Sequence, residues 1–279
     1  MKICSFLVAS ILWIAPFLAS AENIQDRWSD PEESRWSGFL SVDYTQNKYS
    51  AGAYLAERNY SATAIIRYSL NNDSRLQAVI SGYHASDGDE YGSQGDFWSD
   101  TSLSWSRNNL WKPSKSSTLS GEVRLILPTS KFSRRQDLEF GVRGSLRVSF
   151  NLSDYVDGLY IGDSVRLRKN FHEYKTAGDQ KLSEYQASNL FTIDYFFADR
   201  FNFSTYLISR YGWDYDGDNI YPDLIHGEEL GYQLTDNIDI AIGMTNGITY
   251  YNQERGTDPI HDFVDLDKMN YYFVANYQF

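Results

Sequence analysis

Five arginines recur at alternate positions along three consecutive segments of the sequence, and they are the residues best suited to bind a ligand. They are Arg124, Arg143, Arg147, Arg166 and Arg168. The guanidinium group is always charged and presents a fork of donors that matches carboxylates and phosphates. Rings of such groups favour anions in pores. The sequence therefore predicts an anion track, provided that the fold places these side chains on one face.

Acidic residues with similar spacing support a second interpretation of the same arginines. Like charges directly opposite each other destabilise a sheet, so something must balance them. The candidate partners are Glu122, Glu139, Asp194, Asp239 and Asp43. The charges would then form a ladder that fills a narrow interior. Both interpretations stay open, because a basic wall facing an acidic wall also gives a channel a transverse field.

The segment His84-Ala85-Ser86 is a candidate catalytic site. It resembles the His-x-Ser pair of outer-membrane phospholipase A, a β-barrel in which the histidine is the base and the serine the nucleophile. In that family an asparagine on the next strand orients the histidine, and this arrangement follows the usual logic of a catalytic triad. Here the next segment offers Ser99 or Asp100 instead. We therefore favour a chance match and predict that the protein is not an enzyme.

The acidic segment 214–219, Asp-Tyr-Asp-Gly-Asp-Asn, has carboxylates at alternate positions. It lacks the glycine at the sixth position and the glutamate at the twelfth that a calcium-binding EF-hand loop requires. The remaining histidines are scattered without metal-ligand spacing. We expect no metal and no cofactor. The formal net charge of −12 argues against nucleic-acid binding.

The elements that would position these residues are segments in which apolar and polar residues alternate. A period of two predicts strands with one apolar face. If Phe150 pairs with Leu159, Arg143 lies opposite Arg166, and folding back around 132–135 brings Arg124 near Arg143. The predicted strands are Ser37–Asn47, Tyr60–Leu70, Arg75–Ser86, Trp98–Arg107, Leu119–Leu127, Leu138–Phe150, Leu159–Phe171, Tyr185–Phe197, Phe201–Trp213, Leu224–Leu234, Ile238–Tyr250 and Asp267–Phe279.

The last of these strands has aromatic residues on one face at Tyr271, Phe273, Tyr277 and Phe279. It resembles the closing strand of Gram-negative outer-membrane β-barrels. In that family the terminal aromatic strand is also the assembly signal, so the resemblance implies the barrel-assembly machinery, membrane lipid and lipopolysaccharide as partners. An aromatic content of 16% suits the interfacial girdles of such barrels.

The first residues predict export from the cytoplasm. Lys2 precedes an apolar run from Ile3 to Leu18, and Ala19-Ser20-Ala21 follows. This pattern is typical of a signal peptide spanning residues 1–21. The only cysteine, Cys4, lies within it. We expect a polar tail over residues 22–36, either flexible or plugging the interior, and a barrel over residues 37–279.

Together these patterns predict an all-β protein, a single antiparallel up-and-down transmembrane barrel of about twelve strands. Short and long connections alternate, which places both termini in the periplasm. A soluble β-sandwich or propeller is the alternative, because it also alternates apolar and polar residues. The architecture resembles the small monomeric porins specific for oligogalacturonate and sialic acid. We expect a channel for small, anionic solutes in the outer membrane; the alternatives are a closed barrel with ligand-binding outer loops and, less favoured, a lipid hydrolase.

Overall fold

The computed structural model of the protein describes residues 34–49, 56–87, 94–249 and 269–279. The predicted signal peptide and residues 22–33 of the predicted tail lie outside these ranges. The elements of the described residues are β1 Trp36–Asn47, β2 Arg58–Ser69, β3 Ser74–Ala85, β4 Gly95–Trp98, β5 Thr101–Ser114, β6 Ser117–Leu127, α1 Lys131–Arg135, β7 Leu138–Asn151, β8 Leu159–His172, β9 Thr176–Ala177, β10 Gln180–Lys181, β11 Ser183–Phe197, β12 Phe201–Asp214, β13 Asn219–Gln233, β14 Ile238–Thr249 and β15 Asn270–Gln278. None of the helices in these ranges has the length and apolarity needed to cross a membrane.

The long strands close into one antiparallel barrel. Each pairs with its neighbour along the chain, β15 pairs with β1, and β2 pairs with both β1 and β3. The short β4 and the long β5 both pair with β3 and together occupy one place in the ring, which therefore has 12 strands. The sequence prediction of a closed barrel is confirmed, and the sandwich and propeller alternatives are wrong. Within the described residues, closure gives every long strand a partner on both sides.

The two faces of the barrel follow the predicted alternation. On β1, Leu40 and Val42 are exposed on the outward face, whereas Ser41 and Thr45 are buried on the inward face. On β15, Phe273 is exposed and Val274 is buried. The outward face is therefore mostly apolar, whereas the inward face carries most of the buried polar residues together with apolar ones such as Val274. This is the inverse of a soluble protein and the arrangement that lipid-facing barrels require.

Several predicted strands differ from the structure in their limits, and two of these differences involve β5. The predicted strand Trp98–Arg107 is divided, because the pairing with β3 passes from β4 to β5 after Trp98. The predicted strands also left a long connection between Arg107 and Leu119, and this prediction was wrong. There β5 continues to Ser114 through two register shifts, and β6 begins at Ser117.

A bulge at the start of β7 overturns the predicted direction of Leu138 and Glu139. Leu138 pairs with His172 and Phe140 pairs with Phe171, so Glu139 is an extra residue without a partner in β8. Leu138 is buried at 6% exposure, and Glu139 is exposed. An inserted residue reverses the side-chain alternation, which is the usual consequence of a β-bulge.

Candidate functional site

A row of directly paired residues on the inward face carries the predicted arginines. Arg124 pairs with Arg143, which pairs with Arg168. The predicted partner of Arg143 was Arg166, and this was wrong by two residues. The turn after β7 is centred one residue later in the chain than expected, since Asn151 pairs with Tyr160 and the Leu152 N–H donates to the Leu159 carbonyl.

The same row extends to strands where the sequence analysis named no site residue. It runs through Arg67, Gln77, Ser104, Arg124, Arg143 and Arg168, on six consecutive places of the barrel. Arg67 is buried and donates from Nε to Gln77 Oε1 at 2.7 Å. Arg168 donates to Asn170 Oδ1 at 2.6 Å. Arg67 and Arg168 thus each donate to a neutral amide oxygen on the inward face, and we call the four arginines of this row the arginine band.

Glu122 is a carboxylate in contact with this band. Arg124 donates to it through Nε at 2.9 Å and Nη2 at 2.8 Å, and Arg143 Nη2 donates at 3.1 Å. One carboxylate therefore balances two guanidinium groups, and the fork geometry fixes both. This agrees with the charge-ladder interpretation for Glu122.

The remaining predicted arginines lie on one side of this row, Arg166 one inward row away and Arg147 two inward rows away. Arg147 donates to Ser149 Oγ at 3.2 Å and to Thr192 Oγ1 at 3.3 Å. Arg166 pairs with Ser145 on β7 and with Ser188 on β11. The structure therefore brings all five predicted arginines onto neighbouring strands β6, β7 and β8.

Arg210 and Asp223 form a buried ion pair that the sequence analysis missed. Arg210 donates to Asp223 through Nε at 2.9 Å and Nη2 at 2.6 Å. Arg210 also repels Arg168, so the pair belongs to the same cluster of charges. The alternation on β12 contained the signal, because Phe203, Leu207 and Tyr211 point outward and Arg210 has the opposite parity.

Of the other inward acids, Asp194 lies on β11 next to β8 and accepts from Ser204 Oγ at 2.7 Å, whereas three lie on strands remote from the central arginines. Asp43 accepts from Ser61 Oγ and Thr45 Oγ1, and Asp239 accepts from Asn276 Nδ2 at 2.6 Å. Glu229 accepts from Tyr272 Oη at 3.1 Å. Hydroxyl and amide donors thus stabilise an acidic wall on β1, β13 and β14. The interior has a basic side and an acidic side.

Two inward tyrosines fill space on the acidic side. Tyr206 and Tyr272 are 6% and 7% exposed. The Tyr206 ring lies over Gly227, where an added Cβ would stand 2.5 Å from the ring. These rings narrow the interior next to β12–β15.

His84 lies near the end of β3, Ser86 follows the strand, and both are exposed. His84 Nδ1 lies 2.9 Å from Asp96 Oδ1, an acid that the sequence analysis did not consider. Asp100, the residue considered, instead accepts from Ser133 Oγ at 2.5 Å beside α1. The Asp96 side chain is 92% exposed, and the Ser86 N–H is bonded to the Arg58 carbonyl. The site therefore has a histidine–acid contact without a buried acid.

The acidic turn after β12 is held by a lysine. Lys181 Nζ lies 2.9 Å from Asp214 Oδ2 and 2.5 Å from Asp218 Oδ2. The pKa of Lys181 is raised, because Asp218 and Asp214 accept hydrogen bonds from its ammonium group. Within the described residues, no group of three or more histidine, cysteine or acidic side chains has metal-binding geometry.

The residues predicted as the assembly signal share one face of the closing strand. They are Tyr271, Phe273, Tyr277 and Phe279, and their exposed fractions are 42%, 46%, 45% and 56%. Phe279 closes the ring through two backbone hydrogen bonds with Gly38, at 2.7 and 3.0 Å. Their placement agrees with the predicted register.

The fold of this barrel is similar to that of several solved outer-membrane porins and channels. No protein-family model and no curated protein matches the chain. Among solved structures, an outer membrane channel from Pseudomonas putida F1 aligns with 90% of this chain and 100% of its own, at 12% identity and a TM-score of 0.57. The NanC porin aligns over 85% and 98% of the two chains, at 12% identity and a TM-score of 0.55. The KdgM porin in complex with disordered oligogalacturonate aligns over 86% and 99%, at 14% identity and a TM-score of 0.50. The predicted resemblance to small outer-membrane porins is confirmed at the level of the fold.

Proposed function

We propose that the protein is an outer-membrane channel through which small anionic solutes diffuse passively. The observation that carries the proposal is the inward row Arg124–Arg143–Arg168 within a closed barrel of porin fold. Guanidinium groups on a pore wall attract anions and repel cations. One solved neighbour, the KdgM porin, is described with oligogalacturonate, a polyanion. This supports an anionic solute without naming one.

The acidic side of the interior limits the anion preference that we expect of the channel. Asp43, Glu229 and Asp239 face the arginine side across the barrel. A transverse field orients a solute that carries both an anionic group and hydroxyl groups. The channel should therefore prefer anions modestly rather than exclude cations.

Single-channel recording in planar bilayers tests the proposal. With a potassium chloride gradient, the wild-type reversal potential should indicate anion preference. The double variant Arg143→Gln/Arg168→Gln should shift that potential toward cation preference, because it removes two positive charges from the wall.

A matched control removes the same charge outside the pore wall. Arg134 and Arg135 are exposed on α1. Arg134→Gln/Arg135→Gln should leave the reversal potential close to the wild-type value. A folded wild-type barrel without conductance would favour the closed barrel with ligand-binding outer loops. Cation preference with all arginines present would overturn the anion channel.

Lipid hydrolysis is a second, weaker candidate that rests on the contact between His84 and Asp96 at 2.9 Å. Ser86 would be the nucleophile and His84 the base. Purified protein in mixed micelles should then release fatty acid from phospholipid, and Ser86→Ala should abolish the release. No release by the wild-type protein removes this candidate.

A further inference from the structure

Four polar side chains interrupt the outward face on three neighbouring strands. They are Asp163 on β8, Asn189 on β11, and Thr205 and Ser209 on β12, and all four are partly exposed. Asn189 pairs with Val165 and Ser209, while Asp163 lies in the adjacent outward row with Phe191 and Leu207. We call these four residues the outer polar stripe.

The outward faces elsewhere in the described barrel contrast with this stripe. The outward positions in the middle of β1, β2, β3, β6, β7 and β15 are apolar or glycine. Examples are Leu40 and Val42 on β1, and Val123 and Leu125 on β6. The polar residues are therefore confined to one side of the barrel.

The stripe lies between aromatic residues rather than at a rim. On β11, Tyr185 and Tyr195 stand outward on either side of Asn189, and on β12, Phe203 and Tyr211 stand on either side of Thr205 and Ser209. Aromatic girdles mark the two interfaces of a membrane barrel. An ionisable residue between them is costly in lipid and is retained for a function.

Internal hydrogen bonding satisfies only part of this polarity. Asn189 Nδ2 donates to Asp163 Oδ1 at 2.7 Å. On the next strand, the outward residues His226 and Glu228 already contact each other at 3.0 Å, and His226 is buried at 5% exposure. Glu228, which pairs with Thr205, is itself partly exposed, so the accessible polar surface consists of the outer polar stripe on β8, β11 and β12 and of Glu228 beside it on β13.

We infer that the outer polar stripe is the contact between two copies of this chain in the membrane. Copies inserted in the same direction are related by a twofold axis along the membrane normal, which makes the contact isologous. With β11 at the axis, β8 of one copy faces β12 of the other. The carboxylate of Asp163 then meets the hydroxyl donors of Thr205 and Ser209, and Asn189, which both donates and accepts, meets its own counterpart. The inference rests on the proposed membrane location but not on transport.

Cysteine cross-linking in the membrane tests the contact. Cys4 is the only cysteine, so a Cys4→Ser background makes each introduced thiol unique. Asn189→Cys should give a disulfide-linked homodimer under mild oxidation, because the two thiols meet at the axis. Ala64→Cys is the matched control, since Ala64 lies mid-strand on β2, six places around the ring of 12 strands. It should give no dimer.

A disrupting variant separates a contact from chance collision. In the Asn189→Cys background, Asp163→Leu/Ser209→Leu should abolish the dimer, whereas a lipid-facing stripe would be unaffected. Heat-dependent gel mobility shows that each variant is folded, and Ser209→Cys supplies a second thiol beside the axis. The inference would be overturned if Asn189→Cys and Ala64→Cys gave equal amounts of dimer. It would also be overturned if neither Asn189→Cys nor Ser209→Cys gave a dimer, or if the cross-linked product contained another protein. Conductance is measured separately, so the dimer and the channel can fail independently.

Discussion

Glu122 is the residue on which the charge balance of the arginine band depends. Its carboxylate accepts from Arg124 and Arg143 while nearly buried. Removing one partner of a buried ionic group leaves the other charges uncompensated, at a cost of about 3 kcal/mol. Glu122→Gln should therefore lower the free energy of unfolding by about that amount, measured by urea unfolding in micelles with tryptophan fluorescence. The reversal potential should also move further toward anion preference.

The same substitution at Glu139 is the control for this prediction. Glu139 is the exposed extra residue of the β7 bulge. Glu139→Gln should change the unfolding free energy by less than about 0.5 kcal/mol, as is usual at surface positions. If both variants unfold alike, Glu122 does not hold the band together.

The joint between β1 and β15 is the element on which ring closure depends. An added Cβ on Gly38 would stand 2.0 Å from the Phe279 ring, whereas an added Cβ on the outward Gly144 of β7 would meet nothing within 4 Å. Gly38→Ala should displace the terminal ring and destabilise the barrel by about 1–3 kcal/mol. Gly144→Ala should be neutral or slightly stabilising. The measurement is the temperature at which the folded gel band disappears, and equal shifts would contradict a special role for this joint.

Strands were predictable from the sequence because burial of one face imposes a period of two, and that period is visible without any partner. The same parity placed the five arginines inward and could have placed Arg210. Register was not predictable where a turn is displaced along the chain or a bulge adds a residue, as in the turn before Leu159 and at Glu139. The contact between His84 and Asp96 depended on β4, whose few residues carry too little pattern to predict.

The longest connections of the barrel lie at one end, between β1 and β2, β3 and β5, and β14 and β15, and this asymmetry predicts its direction in the membrane. Asn72 lies in the short turn between β2 and β3, at the end where Phe279 closes the ring. Asp179 lies in the hairpin of β9 and β10 at the other end. Short turns face the periplasm in outer-membrane barrels. In a Cys4→Ser background, Asp179→Cys should react with a bulky maleimide in intact cells, whereas Asn72→Cys should react only after the outer membrane is permeabilised. The opposite result would invert the barrel, and labelling of both in intact cells would remove the membrane as the barrier between the two ends.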